Sequence, residues 1–441
     1  DLGCGNGSNL IAQAYLLPES RFVGVDLSKV HIDDANEAAK ELGLTNVEFK
    51  QADVTEMTVA EYGKFDYIVA HGLFSWVPPF VRDAVLRLYG EFLDDNGVGY
   101  ISYSAYPGAH HREMVQRMLR FQTAAFTEPQ EKVGKALSFL SFLGKNTSDR
   151  GVYRSILQQE IKRHGGHQAA DIFHDDLSDV NQPFYFHEFA SLLKGAGLQF
   201  LGEAELHAMG TQNLSPDARG FVESIDDAIE REQYLDFLSG RIFRQTLFCR
   251  QDIKLNREIG PSAIDRFLVS SSLRPQKTKP KLAGQATEKF VGGNGVVIEI
   301  DQPLAKACLS YLGSIWGRAV AFPDLIASGK LMLERDGFAA EDWTSQTDIV
   351  RMVLMQVARA SSVVELHIYQ PAAFTDVSEM PAVNRLARWQ MKSADNILTL
   401  LGMDMKIEDR VSRRLLELLN GTRSRADIIR EMTVFIETAD G

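Results

Sequence analysis

Three glycines at alternating positions near the start of the chain expose main chain to a ligand. Residues 1–7, Asp-Leu-Gly-Cys-Gly-Asn-Gly, form the pattern D-x-G-x-G-x-G. Glycine has no Cβ, so this run can turn sharply and let a ligand come close to the backbone. The nicotinamide-type G-x-G-x-x-G pattern requires glycine at position 8, where Ser8 stands. The spacing therefore favours a sulfonium cofactor over a dinucleotide, with Asp1 placed to meet its cationic group.

Two more carboxylates follow at the ends of predicted strands. Asp26 lies roughly 20 residues beyond the glycines, where such folds bind ribose hydroxyls, and Asp53 can accept a hydrogen bond from an adenine amino group. Isolated aspartates often cap helices or turns instead, but an ordered set at one edge of a parallel sheet favours a cofactor site. The predicted cofactor-binding residues are Asp1, Gly3, Cys4, Gly5, Gly7, Asn9, Asp26, Leu27, Asp53, Val54 and His71.

The elements that position these residues alternate between strand and helix. After the glycines, the apolar spacing predicts helices and strands in turn, with strands at 21–26, 47–53, 65–70 and 98–103. Two more sheet-like segments follow at 198–203 and 242–249. The pattern predicts an α/β, Rossmann-like sheet. Its first strand has only its last residues in this chain, so we expect an N-terminally truncated sheet without the helix that often precedes it.

The chain divides into four predicted segments. Residues 1–112 and 182–255 form the cofactor-binding domain, and 113–181 is a helical insertion expected to lie over the active-site rim. A basic segment punctuated by proline makes 256–287 a linker rather than a nucleic-acid patch. Residues 288–441 alternate strand-like and helical periods, which predicts a C-terminal winged-helix-like α+β module.

Composition excludes several classes of protein. No apolar run approaches the 18 or so residues that cross a bilayer, and three cysteines without C-x-x-C pairing indicate a reducing, cytoplasmic setting. A net charge of −12 argues against a nucleic-acid partner. The histidine pairs His110-His111 and His164/His167 lack a third ligand of matching spacing, so we predict no metal. Oligomeric state is not indicated.

Three runs of residues carry a family resemblance. Residues 71–83, 102–108 and 183–189 resemble class I S-adenosylmethionine-dependent methyltransferases that carry a methyltransferase regulatory domain. Residues 413–416 and 420–423 look like the C-terminal winged-helix-like domain of that family, whose members are similar to bacterial, rickettsial-type protein lysine methyltransferases acting on outer-membrane proteins. The resemblance implies methyl transfer from S-adenosylmethionine. The chain departs from the family at 109–111, Ala-His-His, where an aromatic residue commonly follows Pro-Gly.

Methyl transfer needs few catalytic groups, because an in-line displacement mainly requires orientation and exclusion of water. His71 directly follows the predicted strand 65–70. Its side chain can accept the departing proton, or its backbone can contact the cofactor. An aromatic slot of Phe74, Trp76, Tyr103 and Tyr106 can orient a cationic or alkyl amine, although each ring can instead pack in the core. We name His71, Trp76, Tyr103 and Tyr106 as the acceptor side.

The sequence therefore predicts a methyltransferase acting on protein lysine amines. The alternatives are a small-molecule methyltransferase, since the fold serves both, and a non-catalytic regulatory protein that keeps the cofactor fold. The intact glycine pattern with Asp26 and Asp53 argues against the last.

Overall fold

The computed structural model describes residues 1–165, 169–338, 342–371, 377–392 and 394–439. The first part of the chain alternates helix and strand, as predicted. Its elements are α1 (Ser8–Leu16), β1 (Phe22–Asp26), α2 (Lys29–Leu42), β2 (Val47–Gln51), α3 (Val59–Tyr62), β3 (Phe65–Ala70), α4 (Pro79–Phe92) and β4 (Leu93–Ser104). Helix α4 ends at Phe92, and β4 follows it directly from Leu93, five residues before the predicted strand start at residue 98.

Four helices in the described part of the chain form an insertion after β4, and the strands that complete the sheet follow it in the chain. The helices are α5 (Ala109–Thr123), α6 (Pro129–Asn146), α7 (Val152–His164) and α8 (Ala169–Leu177), and Leu119, Leu140 and Leu157 are part of a core of their own. The returning elements are α9 (Phe186–Gly195), β5 (Leu198–Glu203), α10 (Pro216–Glu223), α11 (Ala228–Ser239) and β6 (Phe243–Arg250).

Leu2 links two groups of strands into one sheet. Its N–H donates to Val69 O of β3 at 2.7 Å, and on its other side it forms a parallel bridge with Val25 of β1. β1 pairs in parallel with β2, β3 pairs in parallel with β4, and β6 lies antiparallel between β4 and β5. The resulting order is β2-β1-Leu2-β3-β4-β6-β5. The predicted Rossmann-like α/β fold is confirmed, and all strand ends that carry predicted cofactor residues lie at one edge.

A second α/β unit begins inside the predicted linker. It contains β7 (Leu268–Ser271), β8 (Arg274–Pro275), β9 (Glu288–Val291), β10 (Val297–Ile300), α12 (Pro303–Ser314), β11 (Val320–Ala321), α13 (Phe322–Arg335), α14 (Trp343–Ala360) and β12 (Val364–His367). Ile264, Val269 and Leu273 are buried in the core of this unit. The prediction of a linker over 256–287 is therefore wrong for this stretch, because widely spaced apolar residues anchor it while its lysines stay exposed.

The C-terminal module packs on the back of the cofactor-binding domain. It comprises α15 (Arg385–Gln390), β13 (Asn396–Leu398), β14 (Asp404–Lys406), α16 (Arg410–Leu418) and α17 (Arg425–Ala439). Leu386 of α15 shares a core with Leu10 of α1 and Ala35 of α2, and Trp389 Nε1 donates to Glu41 Oε2 at 2.8 Å. None of the helices in the described residues is long and apolar enough to cross a bilayer.

Candidate functional site

The glycine loop adopts the left-handed backbone that its sequence permits. The φ angles of Gly3, Gly5 and Gly7 are 71°, 54° and 75°, a region that side chains with a Cβ rarely enter. A Cβ at Gly7 would lie 2.6 Å from the Phe49 ring, whereas a Cβ at Gly5 would meet nothing within 4 Å. The loop is thus packed against the core at Gly7 and open at Gly5, which leaves room for a ligand beside the backbone.

Asp26 ties the glycine loop to the end of β1. Its Oδ2 accepts the N–H of Gly5 at 2.9 Å, and its Oδ1 accepts the N–H of Ser28 at 2.8 Å. Each carboxylate oxygen keeps a second lone pair, which can accept from a hydroxyl. Leu27 beside it is 68% exposed, so an apolar surface lies next to these acceptors. This arrangement fits a cofactor with a ribose and an adenine.

The other predicted cofactor residues lie around the same edge. Asp53 is exposed and accepts hydrogen bonds from the backbone and hydroxyl of Thr55, which lower the pKa of its carboxyl. Val54 is half-buried, and Asn9 is exposed on the first turn of α1. Cys4 turns inward, and burial raises the pKa of its thiol to about 11. Cys4 thus contributes backbone rather than a reactive sulfur.

His71 lies at the end of β3 in contact with two aromatic rings. Its Nδ1 is 2.8 Å from Tyr100 Oη, and its ring centre is 6.2 Å from that of Phe243 on β6. This packing partly removes the ring from water and lowers the pKa of His71, while burial raises the pKa of Tyr100 to about 12. Both groups are therefore neutral near pH 7. Neighbouring Gly72 donates its N–H to Ser102 Oγ at 2.8 Å.

Trp76 lines a small polar cavity between the sheet edge and the helical insertion. The cavity has a volume of about 50 Å³, and its walls include Ser104, Arg112, Asn181 and Phe243. Three buried atoms at its walls have no hydrogen-bond partner among the described residues: Trp76 Nε1, Arg112 Nε and Asn181 Oδ1. Unpaired buried polar atoms are costly. Two donors and one acceptor of residues that line the cavity are thus unpaired, and Phe243 connects this cavity to His71.

The two predicted tyrosines lie elsewhere. Tyr103 has no exposed surface, and its ring stacks on Phe189 at 4.1 Å in the core. A wholly buried ring cannot contact an acceptor, so the prediction that Tyr103 does so is wrong. Tyr106 is half-buried, donates to Glu113 Oε2 at 2.8 Å and stacks on His110 at 4.0 Å. It belongs to an aromatic cluster that does not line the Trp76 cavity.

Four residues of this region were missed by sequence reasoning: Tyr100, Arg112, Asn181 and Phe243. The tyrosine shows a weak signal, since residues 100, 102 and 104 alternate along β4 and include two serines. The other three come from α5, from the segment after α8 and from the first residue of β6. The pairing of β6 with β4 places Phe243 here, and the packing of the helical insertion on the sheet places Arg112 and Asn181; no local pattern reveals these long-range contacts.

A cluster of possible metal ligands occurs in the helical insertion, where Gln116 of the Trp76 cavity wall donates to Asp176 Oδ1 at 3.3 Å. Glu160, His164 and Asp176 lie close enough together to bind an ion. However, Arg163 donates to Glu160 at 2.9 Å and to Asp176 at 2.8 Å. Burial would raise the pKa of Asp176, but hydrogen bonds from His164 and Arg163 lower it to about 2. A cation thus already balances these carboxylates, and we interpret the cluster as an ion-pair network. His167 lies outside the described residues.

Three family profiles match successive parts of the chain. A methyltransferase domain matches residues 1–160, a predicted methyltransferase regulatory domain matches 168–250, and a PKMT C-terminal winged helix domain matches 379–440. The last match confirms the winged-helix-like module but starts well after the predicted boundary at residue 288.

Relatives and a solved structure extend over more of the chain. An uncharacterized protein of Rickettsia prowazekii is 35% identical over 299 residues, 67% of this chain, and the chain spans about half of that relative, 54%. A second uncharacterized protein of the same organism is 32% identical over 190 residues, 43% of this chain and 76% of its own length. The structure of PKMT2 from Rickettsia typhi in complex with AdoHcy has a TM-score of 0.86 at 26% identity, covering 99% of this chain and 85% of that one.

Proposed function

The chain belongs to the family of class I S-adenosylmethionine-dependent methyltransferases with a methyltransferase regulatory domain, and from this premise we propose that it transfers methyl groups to lysine amines of proteins. The runner-up is a small-molecule acceptor, which the same fold serves. We place the activity in the cytoplasm, because Cys4, Cys249 and Cys308 are all free thiols, as expected in a reducing compartment.

We propose that S-adenosylmethionine binds along the edge formed by the glycine loop, Asp26 and Asp53. The open side of Gly5 provides the close approach, and Asp26 provides acceptors for ribose hydroxyls. When bound, the cofactor supplies an electrophilic methyl group. The likeness to PKMT2, solved with AdoHcy, supports this assignment. Gly3, Gly7, Asn9, Leu27 and Val54 shape the walls, Cys4 contributes main chain, and the Asp1 carboxylate meets the cationic group of the cofactor.

The acceptor amine must lose a proton before it attacks, since the reference pKa of lysine is near 10.4. His71 is placed to take that proton. In the tautomer whose Nδ1–H donates to Tyr100 Oη, the Nε2 lone pair is free. The lowered pKa of His71 keeps this base unprotonated at neutral pH. Trp76 and Phe243 present aromatic surface to the alkyl part of the lysine.

The observation that carries the proposal is the Trp76 cavity, which Phe243 connects to His71 and whose lining residues include two unpaired donors and one unpaired acceptor. A peptide group matches this set, because its carbonyl can accept from Trp76 Nε1 or Arg112 Nε and its N–H can donate to Asn181 Oδ1. A protein substrate carries such groups next to every lysine. A hydrophobic small molecule would leave these three atoms unpaired.

Labelled S-adenosylmethionine tests the proposal. The full-length protein is incubated with lysine-containing peptides, with outer-membrane proteins, which the resemblance implies as substrates, and with a low-mass cell extract. We expect label on lysine amines of the protein fraction, located by peptide mass spectrometry. Label confined to the low-mass fraction would establish the small-molecule alternative. No transfer to any fraction, together with no binding of S-adenosylhomocysteine, would refute methyl transfer.

A further inference from the structure

One face of the sheet formed by β7 and β12 is polar, with Ser270 buried and Glu365 partly open to solvent. The two strands pair antiparallel with Ser270 opposite Glu365, and His367 lies two residues further on the same face. The opposite face carries Val269 and Val364, which are buried in the core of the second α/β unit. The polar face forms the wall of a cavity of about 100 Å³.

Three parts of the chain line this cavity. Leu16, the last residue of α1, comes from the cofactor-binding domain, and Trp316 and Tyr369 come from the second α/β unit. The turn between β13 and β14, residues 400–403, comes from the C-terminal module. The cavity is larger than the roughly 30 Å³ that one water occupies in the liquid, so it can hold a small organic group.

The polar groups of the cavity are unsuited to nucleophilic catalysis. Ser270 Oγ lies 3.0 Å from His367 Nε2, and Glu365 Oε2 lies 3.2 Å from the same nitrogen. A hydrolytic triad needs the carboxylate on the other ring nitrogen, where it orients the histidine. With serine and glutamate both on Nε2, the histidine cannot be so oriented. This cluster is therefore a binding surface and not a serine hydrolase site.

The charges and rings of the cavity favour a cation. Among the described residues that line the cavity, Glu365 is the only carboxylate and none is a lysine or an arginine. Trp316 is 44% exposed and Tyr369 is 51% exposed, and the Tyr369 ring meets the His367 ring edge-on at 6.4 Å. Arg274 lies 5.9 Å from the centre of the Trp316 ring, so this indole already stabilises one cation. Aromatic faces combined with a carboxylate recognise alkylammonium groups.

We infer that this cavity is a second binding site that takes an alkylammonium side chain, best a methylated lysine. Glu365 faces the positive charge, and Trp316 and Tyr369 contact the methyl groups. The binding of an alkylammonium group is argued from the residues of the cavity alone. Only the source of the ligand, a methylated lysine of the protein's own product, rests on the proposed function.

Calorimetry on the full chain without cofactor tests the inference. The probe is Nα-acetyl-Nε-trimethyl-lysine amide, compared with its neutral isostere in which carbon replaces the quaternary nitrogen. We expect the cationic probe to bind about tenfold more tightly than the isostere, because the isostere loses the charge and keeps the shape. Equal affinities, or no binding of either probe at millimolar concentration, would overturn the inference.

Two variants and a matched control locate the binding. Glu365→Gln removes the charge and keeps the shape, and Trp316→Phe reduces the aromatic face. Each substitution should lower the affinity for the cationic probe by about tenfold or less. Glu299→Gln, an exposed glutamate on β10 that pairs with Lys289, should change nothing. Binding unaffected by Glu365→Gln, in a protein whose thermal unfolding matches the wild type, would contradict the assignment.

The outcome separates the two proposals. Transfer of methyl groups without probe binding refutes this second site alone. Probe binding without transfer refutes the proposed activity alone. Arg274→Ala adds a further check, because stronger probe binding in that variant would show that the arginine competes for the Trp316 face, and unchanged binding would show that the probe uses the other face.

Discussion

The proposed cofactor edge and the Trp76 cavity, which is the proposed acceptor cavity, lie on the same side of one sheet and are built in opposite ways. At the cofactor edge the polar groups are satisfied internally: the Asp26 carboxylate already accepts the Gly5 and Ser28 amides. In the acceptor cavity, Trp76 Nε1, Arg112 Nε and Asn181 Oδ1 are buried and unpaired. The first region is ordered before any ligand arrives, whereas the second needs a partner for its polar atoms. Affinity at the first should thus depend on preorganisation and at the second on direct hydrogen bonds.

The largest expected effect tests the preorganised edge. Asp26→Ala removes the acceptor of two backbone amides and the predicted ribose ligand, so we expect S-adenosylhomocysteine to bind about 100-fold more weakly by calorimetry. Asp33→Ala, an exposed aspartate on α2 that pairs with Lys29, serves as the control and should bind normally. Unchanged affinity in Asp26→Ala would remove the basis for a cofactor site here.

The next effect tests the unsatisfied cavity. Trp76→Phe deletes one donor and keeps an aromatic ring, so kcat/KM for a peptide acceptor should fall about tenfold while the affinity for S-adenosylhomocysteine stays unchanged. Trp343→Phe, on α14 of the second unit, is the matched control. A parallel loss of cofactor affinity in Trp76→Phe would mean that the two regions are not built independently.

A buried charge cluster next to the Trp76 cavity makes the free energy of unfolding depend on pH. Arg244, next to Phe243 on β6, is buried with Glu203, Glu232 and Asp236. Burial raises the pKa of Glu232 to about 7, above its unfolded value near 4.3. The folded state therefore holds this proton between those values, and stability falls as the pH rises towards 7.

Glu232→Gln isolates this effect. The amide mimics the protonated acid, so the loss in free energy of unfolding between pH 6 and pH 8 should be smaller in the variant by about 1 kcal/mol. Denaturant unfolding of both proteins at the two pH values provides the measurement. An identical pH dependence in the two proteins would show that Glu232 does not titrate in this range and would contradict the prediction.

The smallest expected effect concerns Tyr103. Its hydroxyl has one long hydrogen bond, 3.4 Å to Thr246 Oγ1, and its ring lies in the core. Tyr103→Phe should leave the kinetics of methyl transfer unchanged and alter the free energy of unfolding by less than about 1 kcal/mol. Steady-state assays with a peptide acceptor measure the first quantity, and a tenfold loss of kcat would restore Tyr103 to the acceptor side.

The same contrast explains what the sequence could reveal. The glycine loop is one contiguous run whose backbone conformation follows from residue type, so its left-handed turn is predictable from seven residues. The position of Asp26 is predictable because it follows the loop by one helix and one strand. Arg112 and Asn181 meet Trp76 only through the packing of the helical insertion on the sheet edge, which depends on long-range contacts. Tyr103 was misassigned because β-strand alternation places it on the opposite face from Tyr100 and Ser102.

Helix α1 connects the glycine loop with the C-terminal module. It begins at Ser8, directly after the glycine loop, and ends at Leu16 in the wall of the cavity that contains Glu365. Just before that end, Tyr15 Oη accepts the backbone N–H of Arg385 at 3.2 Å. Nine residues of α-helix form a rod about 13 Å long. Because so short a helix is stiff, the glycine loop at its first residue and the C-terminal module at its last turn are held at a fixed distance from each other.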